Sequence, residues 1–127
     1  MSLSKYIFIA VGGALGAIAR FWVDSAVASR LGTKFPYGTF VINITACVLI
    51  GFSLTFFAKR ADLNPAWRFF IPIGFLGAYS TFSSYGWETV SMLRDGGFSM
   101  ASLYAFGSLF LGLVAVWCGI FLAEIIS

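Results

Sequence analysis

Three stretches of the chain carry no charged residue: 35–58, 69–87 and 96–123. Each is long enough for one membrane crossing, which takes about 20 apolar residues in a helix. A further apolar stretch runs from Lys5 to about Ala28 but contains Arg20 and Asp24. With their flanks, the expected spans cover roughly 5–28, 36–58, 66–93 and 98–124. The pattern therefore predicts an all-α integral membrane protein with four transmembrane helices in a single domain, residues 1–127. Four spans put both termini on the same side. The connections, about 29–36, 59–66 and 94–98, are too short to hold a soluble domain. No low-complexity tract or repeat of 20–50 residues occurs.

A cleaved signal peptide is the competing reading of the first stretch, since Ala26-Val27-Ala28 has the look of a cleavage site. A signal core is continuously apolar, however, and Arg20 and Asp24 interrupt this one.

The third span is punctuated unlike the others. Asn64-Pro65 reads as a helix start, with Asn as cap and Pro at the first helical position. Pro72 then removes a backbone hydrogen bond, and Gly74, Gly77, Ser80, Thr81, Ser83 and Ser84 follow closely. A membrane helix tolerates such breakers where the freed backbone meets protein, water or an ion. The span is thus expected as two half-helices joined by an unwound stretch near 75–81, the kind of place where channels and transporters put ion sites.

Composition agrees with lipid as the solvent. Hydrophobic residues make up 60% of the chain and charged residues 10%, where a soluble domain needs about 25% charged to cover its surface. The net charge of +3 is spread over scattered Lys and Arg at span ends, with no basic patch of the kind that nucleic acid requires. The absence of histidine excludes His-based catalysis and His metal ligation. Cys47 and Cys118 lie deep in apolar runs and read as small packing residues, not as a disulfide. No phosphate-binding loop, carboxylate pair or activated nucleophile is present, so enzymatic activity has no support.

Polar residues recur at helical spacing inside the spans. Gly12, Gly16, Arg20 and Asp24 share one face of the first helix. Gly12-x-x-x-Gly16 favours close packing, which puts Arg20 on the packed side. There it serves either as half of an interfacial pair with Asp24 or as a vestibule charge that draws in anions. Thr39, Asn43, Cys47, Gly51 and Thr55 form a second stripe, which suits either helix contact or an ion path lined by the Asn43 amide donors. Tyr104, Ser108 and Gly112 form a third. Their hydroxyls suit a narrow path or a bond to the carbonyl one turn back. After the expected break, Phe82 and Tyr85 are spaced for one face, as are Ser84 and Glu88. Aromatic rings have positive edges that suit a small anion, although packing is their commoner use. Glu88 is an intramembrane acid and so a functional candidate, or else a structural partner of Arg20.

Charge placement bears on orientation. Lys5, Lys59, Arg60 and Arg68 fall on one side, and Arg30, Lys34 and Arg94 on the other. That near balance gives little bias under the positive-inside rule. Either the chain is weakly oriented and fixed by its translocon or a partner, or it inserts in both orientations and pairs with its own inverted copy.

The stretch Gly74-Phe75-Leu76-Gly77-Ala78-Tyr79-Ser80-Thr81-Phe82-Ser83-Ser84 resembles the signature of the Fluc (CrcB) fluoride channels. So do Gly12-Gly13-Ala14-Leu15-Gly16 with Arg20, and Tyr37-Gly38-Thr39 followed by Asn43. The resemblance covers essentially the whole chain. It implies an antiparallel, dual-topology homodimer in the cell's inner (plasma) membrane, with two pores that pass fluoride passively and relieve its toxicity. It further implies that Asn43 donates to fluoride, that Phe82 turns a ring edge to it, and that Arg20 is the vestibule charge. Thr39, Ser84, Tyr104 and Ser108 would complete the polar lining. Backbone carbonyls of Gly77 and Ser80 would hold a structural Na⁺ at the dimer centre. Three positions depart from the family pattern. Tyr85 stands where a second phenylalanine is usual, and Gly112 and Val116 stand where some members carry hydroxyls. The main rival is a dual-topology small multidrug exporter, which needs a membrane carboxylate to trade protons for a cation. This first helix carries Arg20 instead. A non-conducting subunit of a larger membrane complex is the other.

Overall fold

The computed structural model describes residues 2–127, which form helices joined by short turns. Helix α1 spans Ser2–Leu31 and α2 spans Tyr37–Lys59. Helix α3, residues 66–79, is composite. It runs Ala66–Arg68 in α geometry, Phe69–Leu76 as a π-helix around Pro72, and Gly77–Tyr79 in α geometry again. Ser80 and Thr81 are extended, after which α4 spans Phe82–Arg94 and α5 spans Phe98–Ile126. Among the described residues, three helices are long and apolar enough to cross a membrane, Leu3–Leu31, Tyr37–Lys59 and Phe98–Ile126. The segment between α2 and α5 is not one continuous helix.

The location of its interruption differs from the expectation. Residues 75–79 keep helical geometry, and only Ser80 (ψ 157°) and Thr81 (ψ 110°) leave it. Pro72 does not open the chain because the π-helix around it absorbs the missing N–H with wider hydrogen bonding. At the start of α3, Asn64 Oδ1 accepts from the Ala66 N–H at 3.0 Å, as its capping role required.

Glycines set the packing. The absent side chains of Gly12 and Gly16 let α1 touch the carbonyls of Phe70 and Phe75, so α1 and α3 run parallel. In the same way Gly51 lies on the Val116 carbonyl and Gly119 on that of Val48, which brings α2 and α5 together. These contacts, together with Cys47 opposite Gly112, place α2 and α5 parallel in a fixed register. An up-and-down chain produces both relationships.

An apolar core cluster joins Ile42 and Ala46 of α2 to Leu76 and Tyr79 of α3, with Ala19 and Val23 of α1 against it. Most remaining large apolar side chains face outward, among them Phe21, Trp22, Phe106 and Trp117. Such a surface is incompatible with water over its whole extent and suits lipid or another protein chain.

Charged groups gather at the two ends. Between α2 and α3, Arg60 and Asp62 pair at 3.0 Å, and Arg60 holds the Asp62 carboxyl below the usual carboxylate range. Arg68 donates to the Phe57 carbonyl at 2.6 Å, placing a cation at the C-terminal end of α2, where the helix dipole is negative.

Candidate functional site

The interruption at Ser80–Thr81 is held open by α2. Asn43 Nδ2 donates to the Thr81 carbonyl at 3.0 Å, and the Thr81 N–H donates to Asn43 Oδ1 at 2.9 Å. Because an N–H cannot accept and a carbonyl cannot donate, this pair fixes which way the amide points. One of the two amide hydrogens is thereby used, the other has no acceptor among the described residues, and Asn43 lines the larger cavity. The Thr81 hydroxyl then starts α4, accepting from the Ser84 N–H at 3.2 Å and donating to Ser84 Oγ at 3.0 Å.

These bonds change the state of two carbonyls. In a continuous helix the Thr81 N–H would serve the Gly77 carbonyl, and the Ser84 N–H that of Ser80. Both donors are diverted, to Asn43 and to Thr81 Oγ1. Gly77 is exposed and Ser80 half-buried. Carbonyl oxygens without their helical donors have the hard-oxygen chemistry that suits an alkali cation, so the donor set of these two residues fits the ion expected there.

One and a half turns along α4, Glu88 links the two long helices. It accepts from Thr39 Oγ1 at 2.8 Å and from the Tyr104 hydroxyl at 2.9 Å. Thr39 and Tyr104 are both buried. The carboxylate thus ties α2, α4 and α5 into one polar knot, and Glu88 is not the partner of Arg20. Arg20 is half-buried and makes no ion pair or hydrogen bond among the described residues. Asp24 does not pair with it either; its carboxylate lies instead against Gly38 at the start of α2.

Aromatic rings follow the same seam. Phe82 and Tyr85 have centroids 5.7 Å apart, Tyr85 and Tyr104 5.3 Å, and Tyr104 and Phe35 5.4 Å in an edge-on arrangement. Phe82 is 83% exposed, so its ring projects from the surface of a single chain. The Tyr85 hydroxyl donates to the Ala105 carbonyl of α5 at 2.7 Å. That bond turns the extra oxygen of Tyr85 into a tether between helices.

Two cavities flank the knot. One, of about 320 Å³, opens among Asp24, Lys34, Tyr37, Glu88, Ser91 and Asp95 and is rich in charge. The other, of about 590 Å³, is mostly apolar and is lined by Asn43, Cys47, Ser80, Tyr85, Ser108 and Gly112 among others. The Ser108 oxygen is buried and has no hydrogen-bond partner. The helix register sets Ser108 level with Asn43, one turn before Gly112 and Cys47.

The structure therefore gathers Thr39, Asn43, Ser84, Tyr85, Tyr104 and Ser108 along one seam between α2, α4 and α5. Gly77, Ser80 and Phe82 lie on its outer edge, and Arg20 lies apart from both cavities. Sequence reasoning passed over Thr81 and Phe35 as contributors. Thr81 was legible as a helix cap from its position three before Ser84, whereas Phe35 carried no signal. Cys47, expected to fill space, faces the larger cavity.

Apolar helices with an outward apolar surface and an internal polar seam define a multi-pass helical membrane protein. The chain belongs to the family described as CrcB-like protein, Camphor Resistance (CrcB), which matches residues 7–120. It is 53% identical to the fluoride-specific ion channel FluC of Acidobacterium capsulatum, over 91% of this chain and 92% of that protein. It is 44% identical to FluC of Solibacter usitatus, over 94% and 98% of the respective chains. FluC of Opitutus terrae is 43% identical, over 92% of this chain and 90% of its own.

Proposed function

We propose that this protein is a fluoride-specific ion channel of the inner (plasma) membrane, which lets fluoride leave the cell passively. It is a channel and not an enzyme. The observation that carries the reading is the Asn43–Thr81 pair, which leaves one amide hydrogen uncommitted on a residue that lines the larger cavity. Fluoride is small and strongly hydrated, so a pore must replace its water with donors, and a tight path then excludes chloride. Asn43, Ser84 and Ser108 supply donors at mid-seam, Thr39 and Tyr104 spend their hydroxyl hydrogens on Glu88 and line the seam beside it, and the ring edges of Phe82 and Tyr85 supply positive quadrupole ends.

Residues 66–94 complete the bundle as its third of four crossings, broken at Ser80–Thr81. The functional unit is an antiparallel homodimer of dual topology with two pores. Support comes from the near-even charge at the two ends and from Phe82, a ring at the edge of the polar seam that a single chain leaves 83% exposed. At the dimer centre, carbonyls of Gly77 and Ser80 from both copies would hold a Na⁺, which supplies charge neutralisation between the two breaks. Arg20 is the vestibule cation, which attracts anions towards the seam.

The deciding experiment is fluoride and chloride efflux from liposomes containing the purified protein alone. Fluoride-selective efflux that is indifferent to a proton gradient is expected. No flux, or flux of organic cations driven by protons, would remove the proposal.

A further inference from the structure

Of the polar side chains around the larger cavity, Asn43, Ser80, Thr81 and Tyr85 are held by hydrogen bonds within the fold. Ser108 and Cys47 are not: among the described residues the buried Ser108 oxygen has no hydrogen-bond partner and the Cys47 thiol makes no hydrogen bond. Cys47 sits one helical turn from Asn43 on the same face of α2. Opposite it, Gly112 contributes no side chain, and a Cβ built there would lie 3.4 Å from Cys47 Sγ. The thiol thus occupies the space that a side chain on α5 would otherwise take. One turn beyond this level Gly51 meets the Val116 carbonyl, so neither helix offers a polar side chain at that contact.

We infer that Cys47 is a lining residue of the ion path, whose thiol supplies the polar contact at the level of Gly112 that α5 does not provide. The inference rests on the fluoride-channel reading above. A thiol is a weak donor, but at a level with no other side-chain donor it shortens the apolar distance that an ion leaving Asn43 and Ser108 must cross. The distant cysteine, Cys118, is exposed on the outer face of α5 and serves as an internal control.

The test uses the full-length protein in liposomes with Cys118→Ser, so that Cys47 is the only thiol. Methyl methanethiosulfonate, small and membrane-permeable, is applied to the folded channel, and labelling is read by mass. Fluoride efflux should fall about tenfold on labelling, the factor that follows from about 1.4 kcal/mol of lost stabilisation along the path. The double variant Cys47→Ser/Cys118→Ser should still conduct, because its hydroxyl is a donor at the same level, and its efflux should be indifferent to the reagent. Cys47→Ala should slow efflux, and adding Gly112→Ser to it should restore the rate by placing a hydroxyl at the same level. Labelling of Cys47 without loss of efflux would overturn the inference, as would failure of the thiol to label or a parental rate in Cys47→Ala. In each of those cases the unmodified protein still conducts and only the role of Cys47 falls. Absence of fluoride efflux from the Cys118→Ser parent would instead bring down the channel reading itself.

Discussion

Asn43 and Thr81 hold each other at both ends, amide nitrogen to carbonyl at 3.0 Å and amide oxygen to N–H at 2.9 Å. An asparagine side chain here imitates a backbone strand, satisfying both polar groups of a residue that has left the helix. The break between α3 and α4 and the placement of a donor on the cavity are therefore one feature. The second amide hydrogen is aimed by the bonds that the other atoms of the group make.

That relationship separates two substitutions at one position. Asn43→Ala strands the N–H and C=O of buried Thr81, at about 1–3 kcal/mol for each unpaired group. Its melting temperature in detergent should drop clearly. Asn43→Asp keeps the acceptor for the Thr81 N–H but loses the donors and adds a negative charge in a low-dielectric path. It should abolish fluoride efflux from liposomes while the protein stays assembled. Parental efflux from Asn43→Asp would show that the ion passes elsewhere.

Tyr85 and Phe82 should respond differently to conservative change. The Tyr85 hydroxyl is committed to Ala105, so Tyr85→Phe loses a tether worth about 1 kcal/mol and keeps its ring edge. Fluoride efflux should stay near the parental rate with a modest loss of thermal stability. Phe82→Ile keeps an apolar side chain without a quadrupole, and efflux should fall. Measuring efflux and dimer content together distinguishes a lost ring edge from lost packing.

Helix contacts made through glycine backbone leave no room to adjust. A side chain at Gly16 would meet the Phe75 carbonyl, and one at Gly51 the Val116 carbonyl. Gly16→Ala and Gly51→Ala should each destabilise by about 1–3 kcal/mol, as overpacking does. At Gly107 a Cβ meets nothing within 4 Å, so Gly107→Ala should be neutral or mildly stabilising. Thermal unfolding of the three variants checks the contrast.

Orientation is open to a direct experiment. With Lys5, Lys59, Arg60 and Arg68 against Arg30, Lys34 and Arg94, reporters fused after Ser127 should be found on both sides of the membrane. Two added lysines in one connection should force a single orientation and stop efflux. A single orientation in the parent would sink the dual-topology reading.

The sequence by itself determined the solvent, the helices and the list of polar candidates. Apolar run length and the scarcity of charge are one-dimensional properties, so α1, α2 and α5 were legible, as was the disturbed character of residues 66–94. Periodicity also marked which polar residues share a face, which is why Thr39, Asn43, Tyr104 and Ser108 stood out. It could not say which faces meet. Only the tertiary structure decided that Glu88 belongs to Thr39 and Tyr104 and not to Arg20, that Asn43 clamps Thr81, and that Tyr85 is tied to Ala105. Those pairings join residues 16 to 49 positions apart, and they depend on helix register. Register is set in turn by where glycine lets one backbone rest on another, at Gly12, Gly16, Gly51 and Gly119. A glycine reads the same in every sequence. Its effect here comes from the carbonyl that happens to lie across from it.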